Sequence, residues 1–310
     1  MKSTQRKLPH YQAGIVIDKL VFSCTSTAPK GKALKDLLLS QQEIPGYEFK
    51  PEKAPKSLYK DNYSIWYMGA KFANIGVRHL KKQSYDEYKL TVDNTLYYYV
   101  NGASLPNIAI LLAHLELTFN KIIQLDVAID HYNTNPQEVF WKQLKNPINK
   151  VKFKKKLYGI DQYIPDLLTI FSGTRQNGNL IKTTYLQQKD GTNMKQLVLY
   201  DKLQEIMDVS HKEYILNYHF MRESEITELN RAEIRTSSKF VMQYEEIKGF
   251  KIDLEFLWDS ACLFDYFVFH LNRLIQVTDK KGNINTFICP PYIEHKEKEG
   301  RKKVITAIEF

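Results

Sequence analysis

Cysteine is scarce in this chain: three among 310 residues, Cys24, Cys262 and Cys289, far apart and without a CxxC pair. That argues against a disulfide framework or a zinc ribbon, and for three free thiols in a reducing compartment. Long apolar runs are missing as well. The two best stretches, 108–119 and 254–275, are interrupted by His114 and Glu116, and by Asp259, Asp265 and His270. Neither supplies the roughly 18–20 uncharged residues of a membrane helix. The basic start MKSTQRKLPHYQAG has no apolar core of signal-peptide form after it, so a soluble, cytoplasmic protein with no membrane partner is expected. Glycine (13) and proline (11) are modest in number, with no internal repeat or low-complexity tract, so long flexible linkers are not expected. The eight histidines include no pair at i, i+2, which disfavours a strand offering two imidazoles to one metal.

Hydrophobic residues make up 43% and charged residues 25%, a globular rather than a disordered balance. The length allows one large domain or two, with a sizeable core in either case. Lys and Arg (44) outnumber Asp and Glu (35), for a net charge of +9 and a pI near 9.1. A polyanion is therefore the first partner to consider.

Patterning predicts strands over 13–25 (interrupted by Asp18 and Lys19), 64–67, 73–77, 88–99 and 122–130, with an irregular connection over 43–62. Ile108, Leu111, Leu112, Leu115 and Phe119 keep one helical face, with Ser104 and Pro106 at its start, and a second helix is expected over 136–144. A meander follows, with strands over 151–157, 167–172, 181–188 and 195–202 and a turn at Asp190-Gly191. A helix starts near Leu203, a last strand covers 231–236, and a helical period runs over 253–277. The class is α+β: a mixed, mainly antiparallel central sheet carrying the active site, flanked by helices, with a helical C-terminal part. Residues 1–245 read as the catalytic domain, and 246–310 as a helical region for DNA binding or oligomerisation.

Three strands carry charge where a buried strand should not. In Leu125-Asp126-Val127-Ala128-Ile129-Asp130 the period of two sets Asp126 and Asp130 against the apolar face. Glu233 and Arg235 share a face of 231–236, and Tyr200 and Lys202 share one of 197–202. Any one of these strands reads simply as a solvated polar face. As neighbours, they would gather carboxylates, a phenol and cations on one patch, suited to Mg²⁺ or Mn²⁺ and to attack on a phosphodiester.

These residues resemble a family. Leu125–Asp130, then Thr169-Ile170-Phe171-Ser172-Gly173-Thr174-Arg175, then Tyr200-Asp201-Lys202-Leu203-Gln204-Glu205, then Arg231-Ala232-Glu233-Ile234-Arg235 follow the order of LDxAxD, TxYxGxR, YxKxxE and RxEIR motifs. That order is similar to plasmid rolling-circle replication initiators of the Rep-trans type, and filamentous-phage replication proteins share much of it. The likeness covers about residues 15–240. It implies metal-dependent nicking and rejoining of one strand at a replication origin through a 5′-phosphotyrosine. It implies Tyr200 as nucleophile, Asp126 and Glu233 as metal ligands with Asp130 as a further candidate, and Lys202 and Arg235 at the scissile phosphate. It also suggests a single-stranded or hairpin nick site, a host helicase partner and a homodimer. The gap between Arg175 and Tyr200 predicts an extra hairpin. With 20 tyrosines in the chain, Tyr185, Tyr214 and Tyr218 stand as fallback nucleophiles.

Lys150, Lys152, Lys154 and Lys156 alternate on one strand face that could follow a phosphate backbone. A lysine-guarded edge strand reads equally well there. Arg175 joins them as a DNA-binding candidate. The competing functions are an origin-binding initiator that does not cut, and a protein-interaction module that is merely basic.

Overall fold

A computed structural model describes residues 13–26, 46–53, 59–78, 86–102, 104–153, 156–158, 168–174, 180–190, 192–222, 226–278 and 280–281. Ten strands form one sheet: β1 (Ala13–Ser26), β2 (Tyr47–Glu52), β3 (Lys60–Tyr67), β4 (Ala70–Arg78), β5 (Glu87–Val92), β6 (Leu117–Tyr132), β9 (Leu168–Thr174), β10 (Leu180–Asp190), β11 (Asn193–Asp201) and β12 (Leu229–Ser237). Their order is β2-β3-β4-β5-β1-β6-β12-β11-β10-β9, antiparallel at every described pairing. The remaining strands, β7 (Lys150–Phe153), β8 (Lys156–Tyr158) and β13 (Ile275–Thr278), make a small second sheet in the order β13-β7-β8. The helices are α1 (Pro106–His114), α2 (Pro136–Lys145), the single turn α3 (Lys202–Glu205), α4 (Glu213–Arg222), α5 (Ser238–Lys248) and α6 (Ser260–Leu274). No described helix is long and apolar enough to cross a membrane.

The long central strands β1 and β6 pair along nearly their whole length, and the interruption at Asp18-Lys19 is resolved by a bulge. Ile17 faces Val127 and Leu20 faces Leu125, leaving two residues opposite Asp126 alone. The extra residue keeps Ile17 and Leu20 in the core although they stand three apart, which strict alternation forbids.

One face of the sheet is apolar. Leu125, Val127 and Ile129 meet Ala232 and Ile234 of β12 and Leu197 and Leu199 of β11, all fully buried. Helices α2 and α6 cover it: Trp141 Nε1 donates to Thr184 Oγ1 at 3.1 Å, and the Tyr266 hydroxyl lies 2.6 Å from Thr236 Oγ1. The opposite face carries the charged residues.

Several boundaries differ from the sequence patterning. The strand expected over 88–99 ends at Val92, because the Asp93 carboxylate accepts the Thr95 N–H and caps a 3₁₀ turn, Asn94–Tyr98. The long helix expected over 253–277 starts only after Asp259, which accepts from the N–H groups of Ala261 and Cys262. It stops at Leu274, where β-branched Ile275 and Val277 pair with β7 instead. The connection expected over 43–62 contains β2, which tolerates Pro51 because it is the sheet's outer strand. Helices α4 and α5 had no counterpart in the patterning. The aromatic-rich EYILNYHFMR of α4 has no apolar stripe to betray it. Helix α5 closes at Gly249 in the left-handed region (φ 76).

Two buried histidines set an acid limit on this core. Both ring nitrogens of His131 and of His270 are buried without a hydrogen-bond partner. Burial pushes His131 down to about 4 against a weaker pull from Asp130. His270 is lowered well below its usual value by burial, helped by Lys195 and Arg273. The unfolded chain takes up these protons first, so the histidines' contribution to stability falls as pH drops from about 6.5 through about 4, against an opposite contribution from Asp126, whose pKa is raised to about 7. His131 alone accounts for on the order of 3 kcal/mol across that window. Urea unfolding of the intact chain and of His131→Leu at pH 7 and pH 4.5 isolates the histidine: the intact chain should lose stability relative to the variant as the pH falls.

Candidate active site on the charged face of the sheet

The three charged strands are neighbours. β12 lies between β6 and β11, with Asp126 opposite Arg235, Asp130 opposite Arg231, Glu233 opposite Val198, and Tyr200 opposite Arg231. Directly paired residues share a face. Asp126, Asp130, Tyr200, Arg231, Glu233 and Arg235 therefore lie on one side, opposite the apolar core.

Glu233 is the node of this patch. It is fully buried and receives Arg235 twice, Nε to Oε1 at 2.7 Å and Nη2 to Oε2 at 3.2 Å. The Tyr200 hydroxyl donates to Glu233 Oε2 at 3.3 Å. Burial holds the phenol well above its ordinary pKa; Arg231 opposes that and Glu233 adds to it. Tyr200 is thus a neutral phenol in this arrangement, only 9% exposed. Its neighbour Lys202 opens α3, where the Asp201 carboxylate caps the turn by accepting the Gln204 N–H at 2.8 Å. Lys202 Nζ donates to Glu205 Oε2 at 2.7 Å and sits 5.7 Å from the centre of the Tyr200 ring. Burial and the positive charge of Arg231 lower the Lys202 pKa.

Asp126 is only half satisfied. Its Oδ2 accepts from Gln124 Nε2 at 2.9 Å, while the buried Oδ1 has no hydrogen-bond partner. Burial, reinforced by Glu233, raises its pKa to about 7 against the pull of Arg235. An orphaned buried carboxylate oxygen beside a second carboxylate is a donor set that suits a hard divalent cation. No group of three or more His, Cys, Asp or Glu with metal-holding geometry occurs among the described residues. Mg²⁺ commonly takes one or two carboxylates and fills its other positions with substrate phosphate and water, so a two-carboxylate set is compatible with it.

Asp130 is engaged differently. Arg231 grips it through Nε to Oδ1 at 2.6 Å and Nη2 to Oδ2 at 2.8 Å, and His219 Nε2 of α4 lies 3.0 Å from Oδ2. Burial would raise its pKa, yet Arg231 and His219 hold it well below the usual carboxylate range. Arg231 also donates through Nη1 to Asp18 at 2.5 Å and through Nη2 to the Tyr98 hydroxyl at 2.7 Å. The Tyr132 hydroxyl lies 2.8 Å from His219 Nδ1. The 3₁₀ turn and α4 are thereby fastened over this end of the charged face. The sequence reading missed Asp18, Tyr98, His219 and the anchoring role of Arg231. The charged pair interrupting β1 was the available signal for Asp18.

Other candidates are placed apart. Lys150 is exposed on β7, Lys152 lies on the same strand and Lys156 on β8. The single strand expected over 151–157 is instead two paired strands, so these lysines do not alternate along one strand; β7 is the middle strand of the small sheet, whereas β8, with Lys156, is an outer one. Lys154, Arg175 and Cys289 lie outside the described residues. The hairpin expected before Tyr200 is β10–β11, with Asp190 paired to Asn193. It separates β9, which carries Thr169–Thr174, from β11. Among the fallback tyrosines, Tyr185 is half-buried opposite Val198, Tyr214 donates to Asn94 at 2.6 Å, and Tyr218 is buried in an aromatic cluster.

No family model matches the chain, and no curated protein does. Among solved structures, a rolling circle replication initiator protein from Geobacillus stearothermophilus aligns at 15% identity and a TM-score of 0.46, over 85% of this chain and 86% of that one.

Proposed function

We propose that this protein is a replication initiator that nicks and rejoins one DNA strand at an origin, with Tyr200 as the nucleophile. The observation that carries the reading is the adjacency of β6, β12 and β11, which gathers Asp126, Glu233, Arg235 and Tyr200 on one face. The phenolic oxygen of Tyr200 would attack the phosphorus as the bond to the 3′-oxygen breaks. The departing 3′-oxygen takes a proton from water, so the products are a 5′-phosphotyrosine and a 3′-OH, and the reverse step reseals the strand without ATP. Glu233, already the acceptor for the Tyr200 hydroxyl, is placed to receive the phenol proton. Arg235 and Lys202 supply positive charge for the phosphate oxygens. Asp126 and Glu233 would hold Mg²⁺ or Mn²⁺, which neutralises charge developing on the phosphate. In this reading residues 1–245 cut, and 246–310 contribute DNA binding or oligomerisation. A helicase partner and a dimer rest on the motif likeness alone.

The test is supercoiled DNA carrying the cognate origin, incubated with the protein and Mg²⁺ or Mn²⁺. Nicked circles and an adduct that survives denaturant are expected, and chelator should abolish both. The low exposure of Tyr200 favours the competing reading, an initiator that binds the origin without cutting it. Duplex binding without nicking would select that one.

Metal affinity gives a separate check. The cation needs the Asp126 carboxylate, whose pKa is raised to about 7, so Mn²⁺ binding should tighten as pH rises through about 7. Calorimetry should show that rise, and Asp126→Asn should bind Mn²⁺ about tenfold more weakly or worse.

A further inference from the structure

Tyr99 joins an exposed aromatic ring to a left-handed backbone. It is 57% exposed, and its backbone is left-handed, with φ 54 and ψ 32. It closes the 3₁₀ turn Asn94–Tyr98 by donating its N–H to the Thr95 carbonyl, a position where glycine or asparagine is the ordinary choice. A bulky aromatic there carries a conformational cost and recovers little of it by burial. Its ring lies nearly parallel to that of Tyr218 on α4, with centroids 6.0 Å apart and 20° between planes. Tyr218 is buried and packs edge-on against Tyr98 at 5.2 Å. The Tyr98 hydroxyl in turn accepts from Arg231 Nη2, at the end of the charged face. A flat ring is thus backed by a fixed one, one residue from a side chain that touches the candidate site.

We propose that Tyr99, stacked on Tyr218, is a platform for an unpaired nucleobase of the DNA strand that reaches Tyr200. This inference rests on the nicking reading and names how its single-stranded substrate is held. Every base has a π-face, so stacking tolerates any sequence, and tyrosine platforms work with the attraction that a chain of net charge +9 exerts on phosphate. The ring face turned from Tyr218 takes the base, and the backbone beyond it continues toward the carboxylates and Arg235.

The test measures anisotropy of a labelled oligo(dT) single strand and of a matched duplex, together with melting temperature, for the intact chain and for Tyr99→Ala, Tyr99→Trp and Tyr99→Asn. Tyr99→Ala should weaken single-strand binding by about 5- to 150-fold, while Tyr99→Trp keeps it and duplex binding stays unchanged. Tyr99→Asn is the discriminating variant: it relieves the backbone, so melting should hold or rise while single-strand affinity falls. If both properties fall together in Tyr99→Asn, the ring serves packing and the platform is overturned. An intact chain that binds the strand but is indifferent to residue 99 overturns the platform alone. An intact chain that binds no single strand overturns the nicking reading with it.

Discussion

Tyr200→Phe is expected to abolish the denaturant-resistant protein–DNA adduct and to cut nicking by about 10³-fold or more. The fold should scarcely notice. The lost hydroxyl makes one long bond of 3.3 Å to Glu233, which Arg235 still grips with two nitrogens, so the cost in stability should stay near 1 kcal/mol. Origin binding should persist, because the phosphate-facing cations are untouched. The check is a denaturing gel of a 3′-labelled nick-site strand, whose label stays with the protein-linked fragment, run beside a binding assay on the same preparation. Adduct formation that survives the substitution would move the nucleophile elsewhere, with Tyr185 on the same face the first to examine.

The second large effect concerns folding. Arg231 is fully buried and bonded to Asp130, Asp18 and Tyr98. Arg231→Met keeps much of the volume but strands the Asp130 carboxylate without its cation, which typically costs about 3–5 kcal/mol. A shift of the urea midpoint at unchanged slope would measure it. Adding Asp130→Leu should recover a good part of the loss, since the penalty comes from the unpaired charge rather than from the missing contact. The pH dependence gives an independent sign. Asp130 has a lowered pKa in the folded chain, so its contribution is full above about 4 and drains away as the pH falls below that. In the Arg231 variant that acid loss should shrink.

The sequence showed strands well wherever one face is apolar and the other charged. Leu125, Val127 and Ile129 alternate with Asp126 and Asp130, and the structure buries the first set under helices α2 and α6. Adjacency of β6, β12 and β11 was not legible, because pairing between residues 33 and 101 positions apart leaves no local trace. The Arg231 network was hidden for the same reason: its partners, Asp18, Tyr98 and Asp130, come from three distant segments. Asp93 and Asp259 could have been read as caps, and doing so would have shortened both the strand over 88–99 and the helix over 253–277. Ile275 and Val277 fit a helical stripe and a strand equally well, and only the pairing with β7 decides between them.

The bulge in β1 gives the site an unbalanced ledger of charge. By presenting Asp18 to Arg231 and pairing Lys19 with Asp126, it sets five carboxylates, Asp18, Asp126, Asp130, Glu205 and Glu233, beside four cations, Lys19, Lys202, Arg231 and Arg235. On the nicking reading, a chain that is +9 overall would draw DNA to its surface while its tyrosine sits among more carboxylates than cations. A phosphate entering there would have to bring a counter-ion or a proton with it. Capture and cutting of DNA would then answer to different ions: monovalent salt should govern the first, and the supply of divalent cation the second.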